Sequence, residues 1–447
     1  MSDPERWCVV GGGLLGMTLA LRLAQHGRQV TVWEGAPTLG GLAAPWHLGE
    51  VIWDRHYHVT LASDTCLRNL LRELGLEREL TWVTTRTGFY AGGRMLSLSS
   101  LADYAAFPLL SPLEKVRLAA TILIASRIRD ARALERITAV DWLRRHSGQH
   151  TLERIWYPLL RAKLGANAER VSAAFIWAII ARMYAARRSG AKRELFGYVP
   201  GGYARILERF AGHLTAHGVR AVVGQRVESV TRATGGALTV RSAAGTESFD
   251  RVVVTAASPL AARLCPELTA SERLLHEGVE YQGIVCASAL LERPLTPYYI
   301  TNIVDAWVPF TAVIEMTALV DRAAFGGRAL IYLPKYVTAS DPVLARDDAA
   351  IEQEFLAALE RMHPGFQRGA VQSFRISRVR YVLPLATLGY SDRLPAMRTS
   401  IPGLFIVNSA QIVNGTLNVN ETVALAERAY PQLLAGASAS APRALSV

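Results

Sequence analysis

The stretch that most constrains this chain is Trp7–Leu42, where Gly11, Gly13 and Gly16 stand in G-x-G-x-x-G register. Cys8, Val9 and Val10 predict a short buried strand, the glycines a tight turn, Met17–His26 a helix, and Val30–Trp33 a second strand ending on Glu34. Glycines in this register let the chain turn sharply, approach a pyrophosphate closely and pack helix on strand. Unpaired N–H groups at the helix start, around Leu14, Leu15 and Gly16, then favour a phosphate anion, with the helix dipole behind them. Glu34 lies about 20 residues beyond the turn, where a carboxylate accepts hydrogen bonds from an adenosine ribose. Six residues at this spacing also make ordinary turns. Strand, turn, helix, strand and terminal acid in succession make the stretch a dinucleotide grip.

With 447 residues, half of them hydrophobic, the chain exceeds one simple core and is expected to form two or three lobes. A formal charge of +11 raises nucleic acid as a partner. The cations are mostly arginines spread along the whole chain, with no basic run interleaved with aromatics, so a membrane surface or an anionic substrate fits better and no nucleic acid is expected. Cys8, Cys66, Cys265 and Cys286 are scattered without a C-x-x-C pair, which predicts free thiols in a reducing compartment. The opening MSDPER lacks a signal-peptide layout, so a cytoplasmic protein is expected. No apolar run reaches the ~18 residues of a spanning helix. Leu118–Ala125 and Val171–Ala181 are shorter runs bordered by arginines: either buried helices or apolar faces lying on a bilayer.

Asp64–Leu80 predicts a helix capped at Gly75, Phe89–Met95 a hairpin, and Ser111–Arg188 an all-helical insert. A helix over Ala204–His217 and a strand over Val219–Val230 follow. Glu277–Arg293, Phe310–Met316, Leu330–Pro334 and Phe374–Tyr381 predict strands, the second and third adjacent in one sheet, and Ala349–His363 a helix. The last block is Ile401–Gln411, a turn at Asn414-Gly415-Thr416 and a helix over Asn420–Tyr430. His56 and His58 would share one strand face; their spacing also suits a metal, but no third ligand is near in sequence and none is expected.

The second glycine pair, Gly40 and Gly41 before Leu42, is similar to the flavoprotein form of the motif. The chain thereby resembles the FAD-dependent family of amine oxidases, protoporphyrinogen oxidase and phytoene-type desaturases and, more distantly, UDP-galactopyranose mutase. The resemblance implies an α/β fold: a Rossmann-like FAD-binding domain, a mixed-sheet substrate domain and a helical insert. It divides the chain into FAD-binding segments at 1–95, 195–265 and 395–436, a helical substrate cap at 96–194, a substrate domain at 266–394, and a disordered tail at 437–447. It implies FAD contacts at Val227, the small-residue turn Ala256 and Ala257, Asn408 and Ser409, and Asn418 and Asn420 at the last helix. In this family Asn408 and Ser409 stand where a glycine and an aspartate are usual.

The same resemblance brings Asp54, His56, Tyr57 and His58 near the flavin side of the substrate cavity, with His56, Tyr57 or His58 taking a proton. One of Arg161 and Lys163 would grip an acidic substrate group, or the two form a solvated helix face; Glu315 would face the cavity, or sit as an edge charge. Amine oxidases carry a lysine on the first substrate-domain strand, and Tyr281–Ala287 has none. The expected activity is therefore hydride transfer from an apolar substrate, isoprenoid, lipid-linked or tetrapyrrole, to flavin N5. Two other readings stay open. One is a non-redox sugar-nucleotide mutase, with a pair drawn from Arg161, Arg187, Arg375, Arg378 and Arg380 on a pyrophosphate. The other is a non-catalytic flavoprotein at a membrane surface.

Overall fold

The computed structural model describes residues 4–188, 195–413 and 416–438. It opens on β1 (Arg6–Val10), α1 (Leu14–Gln25) and β2 (Gln29–Trp33). A hairpin of β3 (Pro45–Leu48) and β4 (Val51–Asp54) follows, then β5 (Thr60–Leu61), α2 (Thr65–Glu73), β6 (Thr81–Thr84), β7 (Thr87–Ala91) and β8 (Arg94–Ser97). Helices run from α3 (Leu101–Ala106) through α4 (Pro112–Arg127), α5 (Ala139–Ser147), α6 (Gln149–Thr151) and α7 (Tyr157–Leu164) to α8 (Ala173–Arg188). Next come β9 (Leu195–Tyr198), α9 (Gly202–Ala216), β10 (Arg220–Val222), β11 (Val227–Arg232), β12 (Leu238–Ser242), β13 (Gly245–Phe249) and β14 (Arg251–Val254). After α10 (Ser258–Leu264) and α11 (Ala270–Glu277), the chain lays down β15 (Tyr281–Leu291), β16 (Ile300–Ile303), β17 (Ala312–Glu315) and β18 (Ala329–Thr338). It closes with α12 (Asp348–Met362), β19 (Val371–Pro384), β20 (Leu404–Ile406) and α13 (Val419–Ser438).

Two sheets carry the fold. In the first, β10-β2-β1-β14-β20 are all parallel. Its inner strands are runs of Val, Cys and Trp because helices and loops cover both faces. On one face α1, α9 and α13 bury Met17, Leu21, Phe210 and Leu425; Arg22 of α1 is ion-paired to Glu73 of α2 at 2.9 Å and Glu427 of α13 at 2.7 Å. In the second, β19-β15-β18-β17-β16-β7-β8 form a mixed seven-stranded sheet. Every residue of β15 is buried, because Val285, Ala287 and Ala289 pack toward α12 while Ile284, Cys286 and Leu290 pack toward the β3–β4 hairpin.

Several expectations shift. The Asp64–Leu80 helix ends at Glu73, since Gly75 adopts φ 75°, and only a short 3-10 turn follows at Glu77–Glu79. Val219–Val230 is two strands in two sheets: at the break, Gly224 and Gln225 donate their N–H groups to the carbonyls of Ala36 and Glu34. The hairpin Thr87–Ser97 straddles the expected boundary at 95 and pairs into the seven-stranded sheet through β16. The expected strand through His56 and His58 stops at Asp54. The last helix runs on through Pro431 to Ser438, so residues 437 and 438 are helical; the rest of the tail, and Asn414 and Gly415, lie outside the described residues. Within the run Val171–Ala181 the helix starts at Ala173 and is mostly buried, whereas Leu118–Ala125 is divided between an inner and an outer face.

Candidate functional site

At the end of β1 the chain turns through Gly11 at φ 111°, where a Cβ would collide with the Thr255 hydroxyl. A Cβ on Gly16 would collide with the Gly11 carbonyl, so helix and strand meet at a distance only glycine allows. Gly13 caps α1 without a side chain, and no acidic residue occupies the first turn. The helix therefore presents bare N–H groups and an uncompensated positive dipole end around Leu14, Leu15 and Gly16.

The second glycine loop lies directly on the first. Gly40 donates its N–H to Gly12 O at 2.8 Å, Gly13 and Gly40 pair as a bridge, and a Cβ on Gly41 would stand 3.0 Å from Gly13 Cα. Leu42 then offers its carbonyl to His56 Nδ1 at 3.1 Å. Glu34 anchors the far end, its carboxylate accepting from Gly12 N and Ala36 N at 2.7 Å each. Each carboxylate oxygen keeps a further lone pair for a ribose hydroxyl.

After β4 the chain runs irregularly through residues 55–59 along the face of the seven-stranded sheet. Asp54 is buried: its side chain accepts from Tyr203 N at 2.8 Å and its carbonyl accepts from Tyr332 Oη at 2.6 Å. The Asp54 carboxylate therefore fastens α9 to β4, and its remaining neighbour is His58, whose Nδ1 lies 3.6 Å from Oδ2. His56 is buried, and burial lowers its pKa to about 4. With Nδ1–H donating to Leu42, its Nε2 is left as a buried acceptor without a partner among the described residues. Tyr57 Oη is 2.9 Å from Tyr336 Oη, and burial together with that neighbour holds the Tyr57 hydroxyl well above its usual pKa.

Other expected residues are engaged in ways their spacing did not disclose. Asn408 is buried, donating from Nδ2 to Ala256 O at 2.9 Å and accepting Ala410 N at 3.0 Å, so its amide braces the turn at Ala256–Ser258 rather than facing a cavity. Ser409, next to it, is half-buried. Ala257 caps α10, and Val227 sits at a bulge opposite Ser242. Asn418 caps α13 by accepting Glu421 N at 3.1 Å. The Asn420 side chain caps α2, accepting Cys66 N at 3.0 Å and Leu67 N at 3.1 Å, which leaves only its backbone for any bound group.

Glu315 is fully buried, held by Leu295 N at 2.9 Å and by the Thr317 hydroxyl, and burial raises its pKa to about 7. It is neither an edge charge nor beside Tyr57: it pairs with Ile331, whereas Tyr336 lies five residues further along β18. Arg161 is exposed above the Tyr157 ring, while the Lys163 ammonium lies 5.1 Å from the centre of the Tyr336 ring. Arg375 donates to His47 O, Arg378 to Arg346 O and Arg380 to Ala339 O, so these three do not converge. The Arg187 side chain lies outside the described residues.

Two residues escape a reading of the sequence. Tyr336 is 279 positions from its partner Tyr57, and only the fold joins them. Arg55, inside the singled-out cluster, donates to Gly41 O at 2.8 Å and keeps a buried Nε without a partner among the described residues. Burial and the nearby Arg375 lower its pKa, marking a cation short of a counter-charge beside the glycine loops.

This arrangement of stacked glycine loops and an acid at the second strand coincides with a family match over residues 16–422 to the flavin-containing amine oxidoreductases. The chain belongs to that family. It is a flavoprotein oxidoreductase, and FAD is its cofactor. Similar proteins include the zeta-carotene desaturase of Synechocystis sp., 22% identical over 90% of this chain and 92% of that one. A protein of Synechococcus elongatus, provisionally named a zeta-carotene desaturase, is 25% identical; the match covers 50% of this chain and spans about half (51%) of that relative. Among solved structures, a protein of Exiguobacterium sp. 255-15, provisionally named a protoporphyrinogen oxidase, shares the fold with TM-score 0.77 and 19% identity, over 97% of this chain and 99% of that one. The residues present suit FAD: two loops that tolerate no Cβ, an open helix N-terminus, a carboxylate with spare acceptors and an under-compensated arginine.

Proposed function

We propose that this oxidoreductase dehydrogenates an apolar substrate, isoprenoid, lipid-linked or tetrapyrrole in character, held against the face of the seven-stranded sheet. One observation carries the reading: Tyr332 and Tyr336 of β18 lie with Tyr57 and Met183 in one apolar cluster, and none of the eleven buried residues of the neighbouring β15 is Lys, Arg, Asp or Glu. Such a cluster gains from burying hydrocarbon and offers an amine no counter-charge.

Gly11, Gly13 and Gly16, the N–H groups of Leu14 and Leu15, and Gly40, Gly41 and Leu42 would hold the FAD pyrophosphate, Glu34 the adenosine ribose, and Val227, Ala256, Ala257 and Ser409 the rest of the cofactor. Bound FAD supplies the two-electron acceptor for a substrate hydride. His58, whose Nδ1 lies 3.6 Å from Asp54 Oδ2, takes the accompanying proton at Nε2. Tyr57 stays protonated and, with Tyr336, orients the substrate. His56, neutral and bonded to Leu42, positions the second glycine loop. Segments 1–95, 195–265 and 395–436 would serve the cofactor, 266–394 the substrate, and 96–194 would cap the mouth of a cytoplasmic enzyme that meets its substrate at a membrane surface.

Anaerobic mixing of the FAD-loaded protein with carotenoid precursors, porphyrinogens and amines tests this. Bleaching of the flavin by an apolar compound is expected, and His58→Ala should slow it by ~10²-fold or more. Bleaching by amines alone, or an undiminished rate in His58→Ala, would defeat the reading. The mutase alternative lacks a converging arginine pair among Arg375, Arg378 and Arg380.

A further inference from the structure

Helix α4 is apolar on two sides. Inward, Leu118, Thr121 and Ala125 are buried against the rest of the insert. Outward, Leu113, Val116, Ala120, Leu123 and Ile124 recur at spacings of three and four, so they form one stripe, and the large ones are 70%, 66%, 38% and 41% exposed. Leu101 on α3 adds a side chain that is 89% exposed. Among the described residues, five of the ten strongly exposed large apolar side chains fall between positions 101 and 124. A surface helix meant for water keeps its outer face polar. Concentrated exposure of this kind marks a surface that something covers.

The charges around the stripe are arranged unequally. Arg127 ends it, and Arg129 and Arg132 follow, all exposed. The acids are turned to local work: Asp103 accepts from Ser97 and Ser99, Glu114 closes the capping box at Ser111 and pairs with His150, and Asp130 accepts Arg132 N. No helix among the described residues is long and apolar enough to cross a membrane. A helix lying in the interface needs an apolar side and flanking cations, and both are present.

We propose that the α3–α4 face docks on an anionic lipid bilayer, with Leu113, Val116, Leu123 and Ile124 entering the headgroup–acyl boundary and Arg127, Arg129 and Arg132 meeting the headgroups. At 1.5 Å per residue α4 is roughly 24 Å long and one helix wide. That shape beds into a lipid surface but falls short of the ~800 Å² per partner of a stable protein interface. Behind the helix, Trp177 donates its Nε1–H to Ala125 O at 3.0 Å and also lines a cavity of about 220 Å³ with Ala178, Ala181, Arg182 and Asn420. The docking itself rests on the surface alone and not on the proposed substrate class.

The FAD-loaded full chain is to be sedimented with vesicles of phosphatidylcholine, with and without phosphatidylglycerol, and no substrate. Binding is expected to the anionic vesicles and to fall at least about ten-fold in the triple variant L113S/V116S/I124S. The control L274S, which removes an apolar side chain 72% exposed on α11, should bind like the wild type. If the triple variant loses its flavin, the exposed pair R127E/R129E provides the same reading. Wild-type protein left in the supernatant overturns the proposal. So does variant binding equal to wild type, or a wild-type dimer that the triple variant turns into a monomer. Because no turnover is measured, failure here leaves the proposed reaction standing, and failure of the reaction leaves the docking standing.

Discussion

Glu315 is a carboxyl whose surroundings favour the proton. Its folded pKa of about 7 lies above the ~4.3 of an unfolded chain, so the native state binds this proton more tightly. The stability it contributes is complete below about pH 4.3 and is lost as pH rises through about 7. Glu315→Gln should therefore gain stability relative to wild type between pH 5 and pH 8, by up to about 3 kcal/mol, in urea unfolding at the two pH values. An unchanged difference would mean that the carboxyl ionises freely. His56 runs the other way: with a folded pKa near 4, its contribution is complete above about pH 6.5 and is lost as pH falls through 4. His56→Asn should therefore lose less stability than wild type on acidification from pH 7 to pH 4, again by urea unfolding. Neither environment was legible in the sequence, because burial of a single carboxyl or imidazole depends on segments far away: Leu295 and Thr317 around Glu315, and Leu42 beside His56.

Among the elements, the helix termini separate structure from cofactor. Asn420 resembles a cofactor contact in sequence, yet its side chain receives the first N–H groups of α2. Asn420→Ala should lower thermal stability by about 1 kcal/mol, the usual worth of such a cap, and leave FAD affinity unchanged by fluorescence titration. A large loss of affinity at unchanged stability would return the side chain to the cofactor. Ser111→Ala, which opens the capping box of α4, should likewise lower stability by about 1 kcal/mol without altering flavin content. Elements with strong local signals were legible: the first βαβ unit, the insert helices with their three-and-four periodicity, and the adjacent pair β17 and β18. The break at Val223–Arg226 was not, because its N–H groups are satisfied by the loop after Glu34, a partner that alternation within the segment cannot reveal.

Across the whole molecule, the cofactor site depends on segments distant in sequence meeting at two stacked glycine loops. The loops, Glu34 and the 54–58 stretch were legible because each is short and chemically distinctive; the Tyr57–Tyr336 pair and the roles of Asn408 and Asp54 were not, since they arise only when sheets pack. FAD at a hundred times its dissociation constant should stabilise the fold by about 2.7 kcal/mol, visible as a raised melting temperature. The most direct measurement is FAD binding by stripped protein, wild type against Gly16→Val, by absorbance and fluorescence. The account predicts one yellow, tightly held FAD per wild-type chain, and a Gly16→Val protein that folds yet stays colourless because its Cβ displaces the Gly11 carbonyl from the turn. Equal FAD uptake by both proteins would contradict it.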